Sequence, residues 1–562
     1  MRLAFVRCFG RRWRGGAEWG DGRIQLWGGF MVTRRQMLTT TAVSAGAVVL
    51  PLTAADPAVA HGGSLPGHAG VFALGVASGD PLPDGVILWT RLLRAAGPLA
   101  ARPVRVDWQV ASDERFRDVV RSGHAVAVPQ LGHSVHVDAR GLRPGREYFY
   151  RFRALGELSP VGRTKTAPAP SADRGGLRFG IVNCQDFQNG YWPAYAGLAA
   201  EDLDVVLHLG DYIYEYDPHS AYADRQHTTP ATPGLDQLRT LDDYRARHAQ
   251  YKSDPLLQAA HAAFPWIVTW DDHETENNYA SLTDEIDDTG GQHQSPEVFA
   301  RQRAAAYQAY YEHMPIRANL KPGSADLRIF RRFDFGRLAR INVLDTRQYR
   351  TDQPGGFPGD FGLPGAGTAN TGGTLTGEDQ ERWLARGLDH SPARWNVIAQ
   401  QVMMSRVKFP NPTGGVPPIV ANLDQWDGYV PQRDRLLRHL VDAKVANPVV
   451  LAGDIHSTWL SELKLDFDRP EQPSVAVELT ATSISSDFPI AFDGPLKAVN
   501  PTLNPHVRYF DGSKRGYLRC ELDRYGWRTD ARTVDTIASR TAPVSTSASY
   551  VIEAGTSTLQ KA

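Results

Sequence analysis

The sequence predicts an α/β protein built on parallel strands and preceded by a small all-β sandwich. Three observations carry that expectation. Apolar, β-branched-rich runs at 177–182, 204–209, 266–270 and 449–452 are each four to seven residues long, the length and composition of buried parallel strands. Each run ends in a tight cluster of Gly, Asn or Asp with further polar residues, and open α/β sheets place their sites just past the carboxyl ends of strands. Between residues 70 and 167, by contrast, short strands alternate with Gly, Pro and Asp at even spacing, as in an all-β sandwich.

At 562 residues the chain exceeds one ordinary domain. Its 42% hydrophobic content is enough for a large core and excludes a disordered chain. A net charge of −1 provides no footprint for nucleic acid. The three cysteines, Cys8, Cys184 and Cys520, do not make a disulfide framework for a chain of this size, which leaves Cys184 in need of its own explanation.

The amino terminus reads as a targeting segment. Met31 opens Met-Val-Thr-Arg-Arg-Gln-Met-Leu, a weakly apolar run follows to Thr53, and Ala58-Val59-Ala60 supplies a cleavage signal. Paired arginines before a mildly apolar stretch describe a twin-arginine export signal. A membrane anchor needs about 20 strongly apolar residues, and this run falls short. Residues 1–60 are therefore an upstream extension plus signal peptide, with Met31 as the start and the mature chain beginning near His61. The twin-arginine machinery is an expected partner, and the expected location is extracellular or at the cell wall.

In the 70–167 sandwich, strands fall at 86–89, 104–110, 134–137 and 148–152. The stretch Leu142-Arg143-Pro144-Gly145-Arg146-Glu147-Tyr148-Phe149-Tyr150 resembles the late-strand signature of fibronectin-like sandwiches. A Thr/Pro/Ala-rich linker closes the domain, residues 174–540 form the main domain, and 541–562 read as a carboxyl-terminal tail.

The strand-end blocks carry the chemistry. Asp211 and Tyr214 follow the turn residue Gly210; a carboxylate can bridge two cations and a phenolate is a hard ligand, although alone this is equally an Asp-capped turn. Cys184, flanked by Asn183 and Gln185, is either a thiolate ligand or an inert buried thiol. His273 lies between Asp272 and Glu274, which favours an imidazolium able to protonate a leaving alkoxide, and Asp271 is a candidate to orient it. Asp454 and His456 share one loop. Arg347, after the strand at 341–344, reads either as a phosphate clamp or as an ordinary salt bridge. Cys, Asp, Tyr and His on four strand ends point to a metal centre.

Taken together with Gly75-Val76-Ala77-Ser78-Gly79-Asp80-Pro81, Leu344-Asp345-Thr346-Arg347-Gln348-Tyr349 and Gln400-Gln401-Val402-Met403-Met404, these blocks resemble the PhoD-type alkaline phosphatases within the calcineurin-like metallophosphoesterase class. The resemblance implies a four-layer α/β/β/α metallophosphoesterase domain. It implies ferric iron held by Cys184, Asp211, Tyr214 and His456, with Asp211 bridging, and calcium held by Asp272 and Asp454. It also implies a leaving-group role for His273. The wider class usually has Asn where Asp272 stands, and His at the positions of Asp454 and roughly Gln401. Oxygen there favours calcium, with manganese or zinc as substitutes, and leaves Gln401 as a candidate for an unassigned ligand.

Helices are expected at 240–251 and 295–313, the second from Ser295 as N-cap with Pro296 behind it. The expected activity is hydrolysis of phosphate mono- or diesters by a metal-activated hydroxide, without a Ser nucleophile. A phospholipase D-type phosphodiesterase on the same centre is the alternative, and a non-catalytic binding protein of the same fold is a third reading.

Overall fold

Two β-sheets packed face to face organise the chain. The computed structural model describes residues 70–562 apart from 94–98, 100, 174, 217–218, 230–236, 286–292, 355–360 and 412–417. The export signal expected in 1–60 lies outside the described residues.

The first sheet has ten strands, with Arg515–Leu522, Leu177–Val182, Val205–His208, Pro265–Val268 and Val76–Leu82 side by side at its centre. The last four of these run parallel. The second sheet has seven strands, among which Ala339–Val343, Trp395–Ala399, Pro448–Ala452 and Ala476–Thr480 run parallel. Alternate side chains explain the packing. Phe179, Ile181, Leu207 and Ile267 of one sheet share a core with Ile341, Val397, Leu451 and Leu479 of the other. The opposite faces are also apolar. Val206, Trp266 and Val268 pack against the helices Pro193–Ala200, Leu241–Lys252, Pro255–Ala263 and Pro296–His313. Ile398 and Val450 pack against Gly377–Asp389 and Val430–Asp442. The layers are therefore α/β/β/α, and each fully buried Leu, Ile or Phe in them contributes about 1.5–3 kcal/mol.

Local chemistry sets the helix ends. Thr240 accepts from Asp243 N while Asp243 Oδ2 accepts from Thr240 N at 2.8 Å, a reciprocal capping box. Ser295 caps the helix that Pro296 opens, and Met314 ends it by returning to extended backbone.

The amino-terminal sandwich is present, but it does not stand apart from the main domain. One layer is a five-stranded sheet including Val104–Ala111, Val119–Ala127 and Glu147–Ala154. The other, Val76–Leu82 with Gly85–Arg91 and Ser134–Arg140, is continuous with the ten-stranded sheet, because Ser78 and Gly79 pair in parallel with Pro265 and Trp266. Val86, Leu88, Val106, Tyr150 and Phe152 fill the space between the layers. Tyr148 Oη accepts from Arg143 N at 2.9 Å, a corner that ties its strand to the preceding turn.

The segment 541–562 is likewise not a tail. Val544–Glu553 pairs along Gly526–Val534, and Ala548, Tyr550, Ile552 and Leu559 enter the inter-sheet core. The period-two spacing of Ala548, Tyr550 and Ile552 is the strand signal in that stretch. Among the described residues, no helix is long and apolar enough to cross a membrane.

Candidate metal centre

The carboxyl ends of both sets of parallel strands meet along one edge, and the sequence-predicted residues assemble there. Cys184 follows Leu177–Val182, Asp211 and Tyr214 follow Val205–His208, and Asp272 and His273 follow Pro265–Val268. The facing sheet supplies Arg347 after Ala339–Val343, and Asp454 and His456 after Pro448–Ala452. Both sheets are needed to build the site.

The loops that carry these side chains are bent sharply. Cys184, Asp211, Asp454 and His456 all have φ between 53° and 62°, a region costly for residues with a side chain and retained where surrounding structure enforces it. Gly210, with φ 113°, lets the Asp211 loop lie against its neighbour. A Cβ there would fall 2.4 Å from Asp271 Cβ. Glu274 fastens the same two loops, accepting from Tyr212 N at 2.7 Å, Asp271 N at 2.8 Å and Asp211 N at 3.2 Å. Burial, reinforced by the Asp211 charge, pushes Glu274 up to about 8.

Three groups of ligand-type atoms overlap: Cys184, Asp211 and His456; Asp211, Asp272 and His273; Asp271, Asp272 and Asp454. Within each group the atoms lie within 4.8 Å of one another. Tyr214 joins the first group, donating to Asp211 Oδ2 at 2.9 Å with its oxygen 3.2 Å from His456 Nε2. Ser486 Oγ lies 2.6 Å from the Tyr214 oxygen and 2.9 Å from the Cys184 carbonyl. His456 Nδ1 lies 2.8 Å from the Asp487 carbonyl, so its Nδ1–H donates there and Nε2 is left as the lone-pair donor.

Cations fit this arrangement. Asp211 Oδ1, Asp271 Oδ2 and Asp272 Oδ1 are buried with no hydrogen-bond partner, a costly state that a bound cation removes. Burial, then the charges of Asp211, Asp454 and Asp271, push the Cys184 thiol well up, so a thiolate there requires a cation beside it. Burial and the neighbouring Asp424 carboxylate raise Asp454 to about 7.

His273 is held by Glu215, whose Oε2 lies 2.8 Å from His273 Nδ1 while Oε1 accepts from Asn277 N at 2.7 Å. Burial opposes the charged imidazole, but Glu215, Asp272 and Asp211 outweigh it and raise His273 well above its usual value. Burial likewise works against the Asp272 carboxylate, and Arg347 with His273 holds it well below the usual range.

Three expectations change. Asp271 does not orient His273; it accepts from Arg347 Nε at 2.5 Å, and Glu215 does the orienting. Arg347 is fully buried and donates to Asp424 through both Nη atoms, at 2.8 and 3.0 Å, and to Asp454 at 3.2 Å. It holds carboxylates in place and does not face the cleft as a clamp. Gln401 is not a ligand, because its Oε1 accepts from Thr346 and its Nε2 donates to Thr269, Trp270 and Leu344. Sequence reasoning missed Asp424 and Gln425. Asp424 pairs with both Arg347 and Arg350, and Gln425 Nε2 donates to Asp454. The density of polar and aromatic residues in Asn422-Leu423-Asp424-Gln425-Trp426-Asp427 was the available signal.

Carboxylate, thiol, phenol and imidazole groups on facing strand ends of a four-layer α/β/β/α fold make a candidate metal centre. Comparisons with known proteins identify the family. The family model for the PhoD-like phosphatase matches residues 179–531, and that for the PhoD-like phosphatase N-terminal domain matches 58–168. Alkaline phosphatase D of Bacillus subtilis (strain 168) is 45% identical over 501 residues, 87% of this chain and 82% of its own length. A solved structure of PhoD is 43% identical with a TM-score of 0.80, covering 88% of this chain and 92% of that one. The chain belongs to the PhoD-like phosphatase family, and it is accordingly a phosphoric ester hydrolase.

Proposed function

We propose that this protein is an exported, metal-dependent alkaline phosphatase that hydrolyses phosphate esters. Cys184, Asp211, Tyr214 and His456 would hold ferric iron, and Asp272 and Asp454 would hold calcium. The observation that carries the assignment is the overlap of ligand groups around Asp211 and Asp272. The first group, with Tyr214, combines sulfur, phenol, carboxylate and imidazole donors; the third, Asp271, Asp272 and Asp454, offers only oxygen, as a hard cation such as calcium prefers. Such cations, when bound, supply Lewis acidity to the phosphoryl oxygens and acidify the attacking water.

The chain's own residues perform the remaining steps. Glu215 engages His273 Nδ1, leaving Nε2 as the proton-bearing atom on the side of Tyr216, whose Oη lies 3.4 Å away. That proton passes to the ester oxygen as it leaves. Arg347 and Glu274 transfer no proton in this scheme and keep the aspartates positioned. Export follows the twin-arginine route from the signal near Met31, with the folded protein released outside the cell or retained at the wall.

The test measures bound metals and kcat/KM on the same exported sample, using 4-nitrophenyl phosphate, bis(4-nitrophenyl) phosphate and phosphatidylcholine with calcium present. Monoester turnover with iron bound supports the reading, and dominance of the diester or lipid moves the assignment to a phosphodiesterase of phospholipase D type. Cys184→Ala is expected to lose iron and activity together; a variant that keeps both refutes the iron assignment.

A further inference from the structure

Arg347 is committed to carboxylates, and the strand beside Cys184 offers another cationic side chain. Arg515–Leu522 runs antiparallel to Leu177–Val182 with Leu518 opposite Ile181. Beyond that pair one strand begins at Arg515 and the other ends at Val182, two residues before Cys184, so Arg515 lies at the edge where the ligand residues gather. The local hydrogen bonds agree. Gly516 N donates to Ser483 O at 2.9 Å, and Thr482 Oγ1 lies 2.8 Å from Lys514 O and 3.4 Å from His456 O. The turn before Arg515 is thus stitched to the segment that also carries Ser486, the partner of Tyr214 and Cys184.

Four arginines lie near the centre, and their partners separate them. Arg347 and Arg350 are fully buried on Asp424. Arg247 is fully buried and donates to the carbonyls of Tyr214, Tyr216 and Thr228. Arg515 is half-buried and keeps contact with solvent. Its Nη1 donates to Gly512 O at 3.1 Å and Lys514 O at 2.9 Å, which fixes the guanidinium over its own turn. Among the described residues it forms no ion pair; Lys514 beside it does, with Asp535 at 3.0 Å. Asp511, a nearby carboxylate, is engaged by Lys497 and by the 513–514 backbone. Burial pushes the Arg515 guanidinium down, with the charges of Asp487, then Asp511 and Cys184, opposing. A partly desolvated guanidinium with open donors and no carboxylate partner is suited to an anion that arrives with substrate.

We infer that Arg515 is a substrate-anchoring residue that donates to a terminal phosphoryl oxygen at the Cys184 side of the centre and so favours monoester dianions over diesters. The inference rests on the phosphate-ester reading above. A monoester has one more anionic terminal oxygen than a diester, and a forked donor outside the ligand groups matches that added charge.

The test compares wild type, Arg515→Lys and Arg515→Met with metal content and melting temperature measured on each. The substrates are 4-nitrophenyl phosphate and bis(4-nitrophenyl) phosphate, and inorganic phosphate serves as the inhibitor. Arg515→Met is expected to lower monoester kcat/KM about a hundredfold, the scale of one lost donor to transition-state charge. Diester kcat/KM should fall about tenfold at most, and the inhibition constant for phosphate should rise about tenfold. Metal content and melting temperature stay at wild-type values, and Arg515→Lys recovers part of the monoester rate. Unchanged monoester kinetics and phosphate inhibition overturn the inference, as does an equal loss on both esters accompanied by metal loss. A wild type inactive on both esters refutes the phosphate-ester reading and this inference with it; an active wild type beside unaffected variants refutes this inference alone.

Discussion

Replacing Arg347 with Met removes a buried charge at nearly constant volume and isolates what holds Asp271, Asp424 and Asp454 together. Arg347 contacts Asp271, Asp424 and Asp454, with Asp272 at 3.6 Å and also held by the His273 charge, all of them buried or nearly so. Asp424 keeps Arg350 at 2.9 Å, so the carboxylates left without a cation are Asp271 and Asp454. Breaking one buried pair costs about 3–5 kcal/mol, and protonation of the stranded carboxylates limits the loss to about that value instead of a multiple of it. With an unfolding entropy of about 2 cal/mol/K per residue, a loss of about 4 kcal/mol lowers the melting temperature of a chain this size by about 4 °C. The sign of the pH dependence follows. Burial already raises Asp271, with Arg347 the main opposing influence, so loss of Arg347 raises it further. An acid whose folded pKa is raised loses stability as pH increases through the interval above its unfolded value. The deficit should therefore be small near pH 5 and full at pH 9, read by thermal melts of chelated wild type and variant across that range. Arg347→Lys should recover little, because one ammonium cannot span Asp271 and Asp424. A variant melting within a degree of wild type at pH 9, or a fully competent Lys variant, would refute the reasoning.

Glu215→Gln removes the partner of His273 Nδ1 and the largest influence favouring its charge. Turnover of alkyl phosphates should fall about a hundredfold, with the alkaline limb of the pH–rate profile moving to lower pH, while 4-nitrophenyl phosphate, whose leaving group needs no proton, is much less affected. Gly210→Ala forces the Asp211 loop off Asp271 and should cost about 1–3 kcal/mol in stability together with most activity; calorimetry and kinetics on one sample check it. Lys252 is buried over the Trp89 ring at 4.4 Å, and burial lowers it to about 7. A base whose folded pKa is depressed carries its full desolvation penalty below pH 7 and loses it between 7 and its unfolded value. Lys252→Met should thus melt above wild type by a few degrees at pH 6.5, with the gap closing by pH 10.

The strand-end blocks were readable in the sequence because short-range chemistry writes them there. A buried parallel strand must be a continuous apolar run, and a sharp turn after it needs Gly or Asp. Cys184, Asp211, Asp272 and Asp454 could be picked out on those grounds before any contact was known, as could the capped helices that begin at Leu241 and Pro296. Partnership between segments distant in the chain is a different matter. Arg347 reads identically whether it faces solvent or Asp424, 77 residues away, and only the folded arrangement assigns it to carboxylates. The same holds for Glu215 displacing Asp271 as the partner of His273, and for Gln401 spending its amide on Thr269 and Thr346. Domain edges behave likewise: Val76–Leu82 and Val544–Glu553 are recognisable as strands, but the sheet each one joins depends on which unpaired edge it meets. Local periodicity and turn chemistry determined the elements and most of the ligand-type residues. Tertiary structure alone decided which charges neutralise one another, because a buried charge is governed by whatever the fold brings within a few ångströms, and nothing in the neighbouring sequence encodes that.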